Sequence, residues 1–316
     1  MIIVSLSIMV AFFVSLLITK WQIKSFGHAG IDGTDMHKRH KPRVPEMGGL
    51  SAIMGFVIGL SLFLSDKRGL NEPIFLTALI GIIGAGLIGM VDDMVRVRQR
   101  VKAFLPYLFT IPFGINMMGY PLEVFGFTID NPYLIFLVVP FGVTCAANAS
   151  NMLEGFNGLG AGLSIIISTS LVILIYLQGG PDRGFYILFP LLGAVMGFGV
   201  FNLYPSLIFP GDTFTLFSGA AIGIAAIISG LITPGIIMFI PMILEFFLKF
   251  KGGFKAENFA RPDKDGYLKS RNDKIESLTH ILVKYFRLKE WQLVSIIWGI
   301  EIVLCSFVII FYIFIF

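Results

Sequence analysis

Four short stretches concentrate side chains of catalytic type. Asp92-Asp93 is followed within nine residues by Arg96, Arg98, Arg100 and Lys102. Adjacent carboxylates suit a hard cation such as Mg²⁺, and Lys or Arg neutralises phosphate oxygens, so this stretch is a candidate polyphosphate site as well as an ordinary solvated helix end. Residues 148–160 read Asn-Ala-Ser-Asn-Met-Leu-Glu-Gly-Phe-Asn-Gly-Leu-Gly. Asn148 and Asn151 are three apart and would share a helical face, where carboxamides offer oxygens to a metal and paired hydrogen bonds to a nucleobase or sugar amide. Gly155, Gly158 and Gly160 would let a ligand touch backbone, and the same glycines equally suit a tight turn between two apolar runs. In the stretch Asn202 to Thr213, Asp212 follows Pro-Gly at the start of an apolar run. There a carboxylate can cap a helix or hold Mg²⁺, and the two roles are compatible. The fourth stretch, His37-Lys38-Arg39-His40 with Glu46 beyond it, adds imidazole and basic groups.

The rest of the chain must position these groups from within a bilayer. Of 316 residues, 56% are apolar and 14% charged, against roughly 25% charged in a soluble domain. With a mean hydropathy of +0.84, the composition excludes both a soluble globular protein and a disordered one. Apolar runs predict ten helical spans near 2–19, 48–64, 73–91, 103–119, 132–147, 159–177, 185–201, 213–232, 234–250 and 291–316, with a basic loop at 251–290. The expectation is one all-α polytopic membrane domain, 1–316. Two places test the count: the fourth span carries Pro106 and Pro112, and only Thr233-Pro234 separates the eighth from the ninth. Pro234 and Pro241 should bend the ninth span and open an apolar gap for a lipid chain.

Cytoplasmic loops are enriched in Lys and Arg. Under this layout the odd-numbered loops hold 21 of the 24 basic residues, and the even ones hold Lys67, Arg68 and Arg183. Both termini are therefore expected outside, with all four chemical stretches on the cytoplasmic face. That placement argues against using the Asn148-Ala-Ser150 glycosylation sequon, and favours an interfacial enzyme over a transporter, which usually carries polar residues near the midplane. The one charge near mid-bilayer is Glu301. Cys145 and Cys305 lie in apolar stretches and indicate no disulfide framework. The first span is followed, not preceded, by Lys20 and Lys24, the wrong polarity for a cleaved signal. Glycines at helical spacing (Gly81, Gly84, Gly86, Gly89; Gly193, Gly197; Gly219, Gly223) read as close helix packing. No P-loop or dinucleotide fingerprint is present, and a net charge of +4 does not suggest nucleic acid.

The ordered combination of Lys41-Pro42-x-x-Pro45-Glu46 with a following glycine pair, Val91-Asp92-Asp93, Asn148-x-x-Asn151-x-x-x-Gly155-x-Asn157-Gly158-Leu159, and Phe209-Pro210-Gly211-Asp212-Thr213 resembles the polyprenyl-phosphate N-acetylhexosamine-1-phosphate transferases, glycosyltransferase family 4. The resemblance covers essentially the whole chain. The wording Tyr204-Pro205-Ser206 and Gly211-Asp212-Thr213-Phe214 looks most like the archaeal and eukaryotic UDP-GlcNAc:dolichyl-phosphate branch. Two departures from the bacterial branches fit this: residues 249–279 contain no histidine, and Glu154 stands where those members generally have Asp.

The resemblance implies attack by a polyprenyl or dolichyl phosphate on the β-phosphorus of UDP-GlcNAc, releasing UMP and beginning lipid-linked oligosaccharide synthesis. It implies Mg²⁺, with Mn²⁺ as a substitute, held by Asn151 and Asp212. Lys102 and Arg261 would clamp phosphate, with Lys264 beside them; Asp92 and Asp93 would orient the lipid phosphate or a cation. Asn157 with Glu46 would contact uridine, and Asn148 and Gly155 would line the substrate site. The same transfer with another UDP-N-acetylhexosamine or undecaprenyl phosphate stays open, as does a transporter without transferase activity. The expected partners are UDP-GlcNAc, the lipid carrier, membrane lipids and a second copy in a homodimer. The membrane is the cell membrane for an archaeal source and the endoplasmic reticulum for a eukaryotic one.

Overall fold

A computed structural model describes residues 2–64, 73–180, 183–254, 260–269 and 274–315. The basic residues Lys67, Arg68, Lys255 and Arg271, and the last residue of the tenth predicted span, lie outside the described residues. Twelve helices are present among them: α1 (Ile2–Ala29), α2 (Gly49–Leu64), α3 (Pro73–Val95), α4 (Gln99–Met117), α5 (Pro132–Leu153), α6 (Leu159–Leu177), α7 (Arg183–Asn202), α8 (Gly211–Ile228), α9 (Ile232–Met238), α10 (Ile240–Lys251), α11 (Leu278–Tyr285) and α12 (Glu290–Ile315). Three antiparallel hairpins decorate the loops: β1 (Asp32–Thr34) with β2 (Arg43–Pro45), β3 (Leu122–Val124) with β4 (Phe127–Ile129), and β5 (Arg261–Pro262) with β6 (Leu268–Lys269).

Every predicted span is helical, as the backbone of an apolar run must be where no water can satisfy it. Seven helices are long and apolar enough to cross a membrane, and the pair α9–α10 makes an eighth. This is a polytopic helical membrane protein. The apolar stretch of α2 is shorter, Gly49–Phe63, and α4 opens on Gln99, Arg100 and Lys102. Pro106 and Pro112 lie inside α4 without breaking it. The ninth segment does break, with a 58° bend between α9 and α10. Pro241 sits in the first turn of α10, where its missing N–H leaves the carbonyl four residues back, in α9, without a helical donor.

Helix α8 is the axis of the bundle, packed by α3, α5, α7 and α2, while α1 rests on α7 and α2, and α12 on α6. Phe214 and Phe217 are fully buried and stack edge or tilted against Phe198 and Phe56, at centroid distances of 5.0 and 5.3 Å. At Gly89 the backbones of α3 and α8 nearly touch: a Cβ there would lie 2.2 Å from the Asp212 carbonyl oxygen. Glycine at this position is what brings Asp92 and Asp93, one turn further on, against the start of α8.

The loops sort to two ends. At one, Gly48 N–H donates to the Phe209 carbonyl at 2.9 Å and Phe209 N–H to that of Pro45 at 2.7 Å. There too Arg39 Nη1 reaches the Lys264 carbonyl at 2.9 Å. At the other, the β3–β4 turn meets the start of α9, Phe125 N–H donating to Thr233 Oγ1 at 2.7 Å. A cavity of about 260 Å³ between Tyr120, Leu122, Arg183, Ile228 and Ile232 lies at that second end. Among the described residues the odd-numbered and even-numbered loops thus segregate. The break between the eighth and ninth predicted spans is not at Thr233-Pro234, which lie inside the first turn of α9, but at residues 229–231, where Gly230 takes a positive φ of 66° after α8 ends at Ile228.

Candidate active site

Lys102, near the start of α4, is 5% exposed, and its ammonium joins two carboxylates. It lies 2.9 Å from Asp92 Oδ2, at the end of α3, and in direct contact with Asp212 Oδ2, at the start of α8. From α5, Asn151 Nδ2 donates to Asp212 Oδ1 at 2.7 Å and to Thr215 Oγ1 at 2.9 Å. Four helices therefore deliver two carboxylates, a carboxamide and an ammonium to one point. Asn151 lies on the last turn of α5, which continues through Asn148 to Leu153, so the helical-face reading of the asparagines holds and the tight turn is confined to the residues after them.

Asp92 and Asp93 diverge, because neighbours on a helix point roughly 100° apart. Asp93 Oδ1 accepts the Asp212 amide at 2.7 Å, and its Oδ2 accepts the Thr213 amide at 3.0 Å and hydroxyl at 2.6 Å. The Asp93 carboxylate thus caps α8 from α3, where the N-cap residue, Pro210, has no side chain to do so. Asp212 is thus not its own helix's cap, which leaves its carboxylate for Lys102 and Asn151, while both Asp93 oxygens are engaged by the start of α8.

Other expected site residues fall around this centre. Glu46, at the turn into α2, has its carboxyl raised by burial and by Asp32 and Asp212 nearby, against the opposing pull of Arg96 and Arg43. Asn148 donates both to the Ala103 carbonyl at 3.0 Å and to that of Thr144 at 2.9 Å, tying α5 to α4. Glu154 is half-buried, and desolvation lifts its carboxyl to about 7 although the Gly155 and Gly160 amides donate to it. Gly160 lies in the first turn of α6, so the Glu154 carboxyl satisfies one of that helix's unpaired N–H groups. Asn157 belongs to a second cluster: its amide N–H donates to Glu290 Oε1 at 3.0 Å and its Nδ2 to Asp35 Oδ2 at 3.3 Å. Arg261 and Lys264 lie on the β5–β6 hairpin with exposed side chains; it is the Lys264 carbonyl that meets Arg39.

Sequence reasoning missed Asp35, Thr215 and Glu290. Asp35 and Glu290 are isolated acids 255 positions apart, and no spacing rule joins them.

The carboxylate oxygens of Asp92 and Asp212 are hard ligands of the kind Mg²⁺ or Mn²⁺ prefers, and both already meet a positive charge, the Lys102 ammonium. For Asn151 and Asp212 to share a divalent ion, the Asn151 carboxamide must turn its oxygen toward Asp212.

Comparison with known proteins accords with this geometry. The family model described as glycosyl transferase family 4 matches residues 75–230, the segment holding Asp92, Lys102, Asn151 and Asp212. A Saccharolobus solfataricus protein, provisionally named UDP-N-acetylglucosamine–dolichyl-phosphate N-acetylglucosaminephosphotransferase, is 36% identical over 301 residues, covering 94% of this chain and 92% of that one. The Schizosaccharomyces pombe protein of that name, without the provisional mark, is 26% identical over 273 residues, 71% of this chain and 61% of its own. A phospho-N-acetylmuramoyl-pentapeptide-transferase of Borrelia garinii is 30% identical over 232 residues, 62% of this chain and 64% of its own. The chain belongs to glycosyl transferase family 4.

Proposed function

We propose that this protein transfers GlcNAc-1-phosphate from UDP-GlcNAc to a dolichyl-type polyprenyl phosphate, giving a lipid-diphosphate-GlcNAc and UMP. The observation that carries the reading is the meeting of Asp92, Lys102, Asn151 and Asp212 at one end of the bundle. The archaeal and yeast relatives, by the names they carry, supply the substrates.

The chemistry explains the residue types. A phosphate monoester has a second pKa of about 6, so the lipid nucleophile is mostly ionised at neutral pH and needs placement more than deprotonation. Two anions must approach, and a phosphate must leave. Lys102 lowers that repulsion, and the Asp92 and Asp212 carboxylates hold its ammonium in place. Asp212 and Asn151 would hold Mg²⁺, which would supply charge neutralisation at the diphosphate. Asp93 fixes Asp212 by pinning the first turn of α8. Glu46 and Asn157 are assigned to the uridine side of the nucleotide, with the exposed Arg261 and Lys264 as cations for its phosphates and sugar.

The lipid chain is placed along the bent pair α9–α10. Ile236, Ile240, Leu244, Phe247 and Phe250 are exposed there, and Lys249 of α10 donates to the Met152 carbonyl beside Asn151. A chain lying on that face would bring its phosphate toward the Asn151 end. The Lys and Arg distribution supports ten crossings with both termini outside and the site in the cytoplasm. The archaeal relatives support the cell membrane as the location. Titrating purified protein with Mg²⁺ in the presence of both substrates tests the assignment: UMP release should rise from near zero without divalent ion to a plateau, and release unchanged by chelator would refute metal dependence.

A further inference from the structure

The second cluster sits where four separated segments meet. Glu290, the first residue of α12, is 3% exposed, as is Asp35 of the first loop. Glu290 Oε1 accepts the Asn157 amide at 3.0 Å, and its Oε2 accepts Lys38 Nζ at 2.8 Å. The same ammonium lies 3.2 Å from Asp35 Oδ2 and 4.1 Å above the Tyr204 ring. Asp35 Oδ2 in turn accepts Asn157 Nδ2, and the His37 ring stacks on Phe156 at 4.2 Å. Asp35, His37 and Glu290 are close enough to share a metal ion. Lys38 already stands between the two carboxylates, however, and offsets one of their two charges, so an ammonium occupies the place a metal ion would take between them.

Helix α12 grips the same segment a second time. Trp298 Nε1 donates to the Leu159 carbonyl at 3.2 Å, and its indole fills the space a Cβ on Gly162 would take, 2.1 Å away. Just before Glu290, the Leu288 carbonyl accepts the Leu268 amide of β6 at 2.8 Å. Glu290 therefore stands at a joint: the basic β5–β6 hairpin on one side, the asparagine-glycine segment on the other, the first loop across from both.

We propose that Glu290 is a positioning residue for nucleotide-sugar binding. One carboxylate oxygen holds the Asn157 backbone and the other holds Lys38 of the first loop, while the Leu288 carbonyl two residues earlier keeps the β5–β6 hairpin in register with them; Glu290 thereby acts on capture of the UDP-sugar, not on the chemical step. This rests on the reading that Asn157 and the hairpin face the nucleotide. The lipid site, on α9–α10, shares none of the hydrogen bonds of the joint.

Steady-state kinetics of full-length protein, with UDP-GlcNAc and a dolichyl phosphate varied in turn, decides the matter. Glu290→Ala strips an acceptor from a buried amide and the anion from Lys38, and should raise the UDP-GlcNAc KM by about tenfold or more, with kcat and lipid KM within about twofold. Glu290→Gln keeps an acceptor for Asn157 and should recover to within about threefold of wild type. Glu290→Asp keeps the charge but shortens its reach. It should fall between the two, and it carries the test if the alanine variant does not fold. A loss of kcat with unchanged KM, or a parallel rise in both KM values, would overturn the proposal, as would wild-type KM in both Glu290→Ala and Glu290→Asp. Asn157→Ala in the same assay tests the underlying reading separately: an unchanged UDP-GlcNAc KM there removes Asn157 from the nucleotide site, while the Glu290 series still judges the joint on its own result.

Discussion

One oxygen of Asp93 accepts both the backbone amide and the hydroxyl of Thr213, at 3.0 and 2.6 Å. With its other oxygen on the Asp212 amide, α3 supplies the cap that α8 lacks, and the side chain of Asp212 is left for Lys102 and Asn151. Asp93→Ala should therefore lower stability and activity together, by about 2–4 kcal/mol in the first, since hydrogen bonds to a charged acceptor are lost from buried donors. Asp93→Asn, which keeps one good acceptor, should fall between. Thermal unfolding in detergent measured beside turnover checks this, and an inactive Asp93→Ala with wild-type stability would show Asp93 touching substrate directly.

Asp212→Ala should behave in the opposite way. Its carboxylate makes no cap contact, so removal should abolish turnover while costing stability at most about the 0.5–2 kcal/mol of a lost helix-end interaction. Lys102 keeps Asp92 as partner. Near-wild-type turnover of the variant at limiting Mg²⁺ would exclude Asp212 as a metal ligand.

Glu154 gives a pH signature. Its folded carboxyl, raised to about 7 from 4.5 by burial, favours the protonated form. The stability it contributes is therefore complete below about pH 4.5 and is lost as pH rises through 7. Glu154→Gln, which cannot ionise, should be spared that loss, so the two unfolding curves should separate between pH 5 and 8 by on the order of 3 kcal/mol. Parallel curves across that range would mean Glu154 is ionised throughout.

Much of this was legible in the sequence, for identifiable reasons. Apolar runs located the helices, because a bilayer enforces helix on any such run. The break near Pro241 followed from a missing donor, whereas Pro106 and Pro112 changed nothing in α4. Asp212, Asn151, Asp92 and Lys102 were recognisable by type and by their placement at span ends. The division of labour between Asp92 and Asp93 was not, since it depends on which side of α3 meets α8 at Gly89. Asp35 and Glu290 were invisible for a related reason: each is one acid whose partner comes from the far end of the chain.

The lipid assignment predicts an effect confined to one substrate. Ile240→Trp and Leu244→Trp, on the exposed face of α10, should raise the lipid KM several-fold and leave the UDP-GlcNAc KM unchanged. Photo-crosslinking with a polyprenyl-phosphate analogue locates the chain independently: labels confined to helices far from residues 232–251 would refute the placement.

Topology is open to the same directness. In a cysteine-free background, a cysteine replacing exposed Phe127 of β4 should react with an impermeant reagent in intact cells, and one replacing exposed Lys264 should react only after permeabilisation. The reverse pattern would put the Asp92–Asp212 site outside.

Product analysis of a single reaction bears most directly on the function itself. Purified protein with UDP-GlcNAc, a dolichyl phosphate and Mg²⁺ should yield UMP and a lipid-diphosphate-GlcNAc in equal amounts by mass spectrometry, with both products absent for Asp212→Ala. Release of UDP with a lipid-monophosphate sugar would place the cleavage at the sugar carbon instead of the β-phosphorus and contradict the proposed phosphosugar transfer, as would turnover of neither substrate by the folded, Mg²⁺-loaded protein.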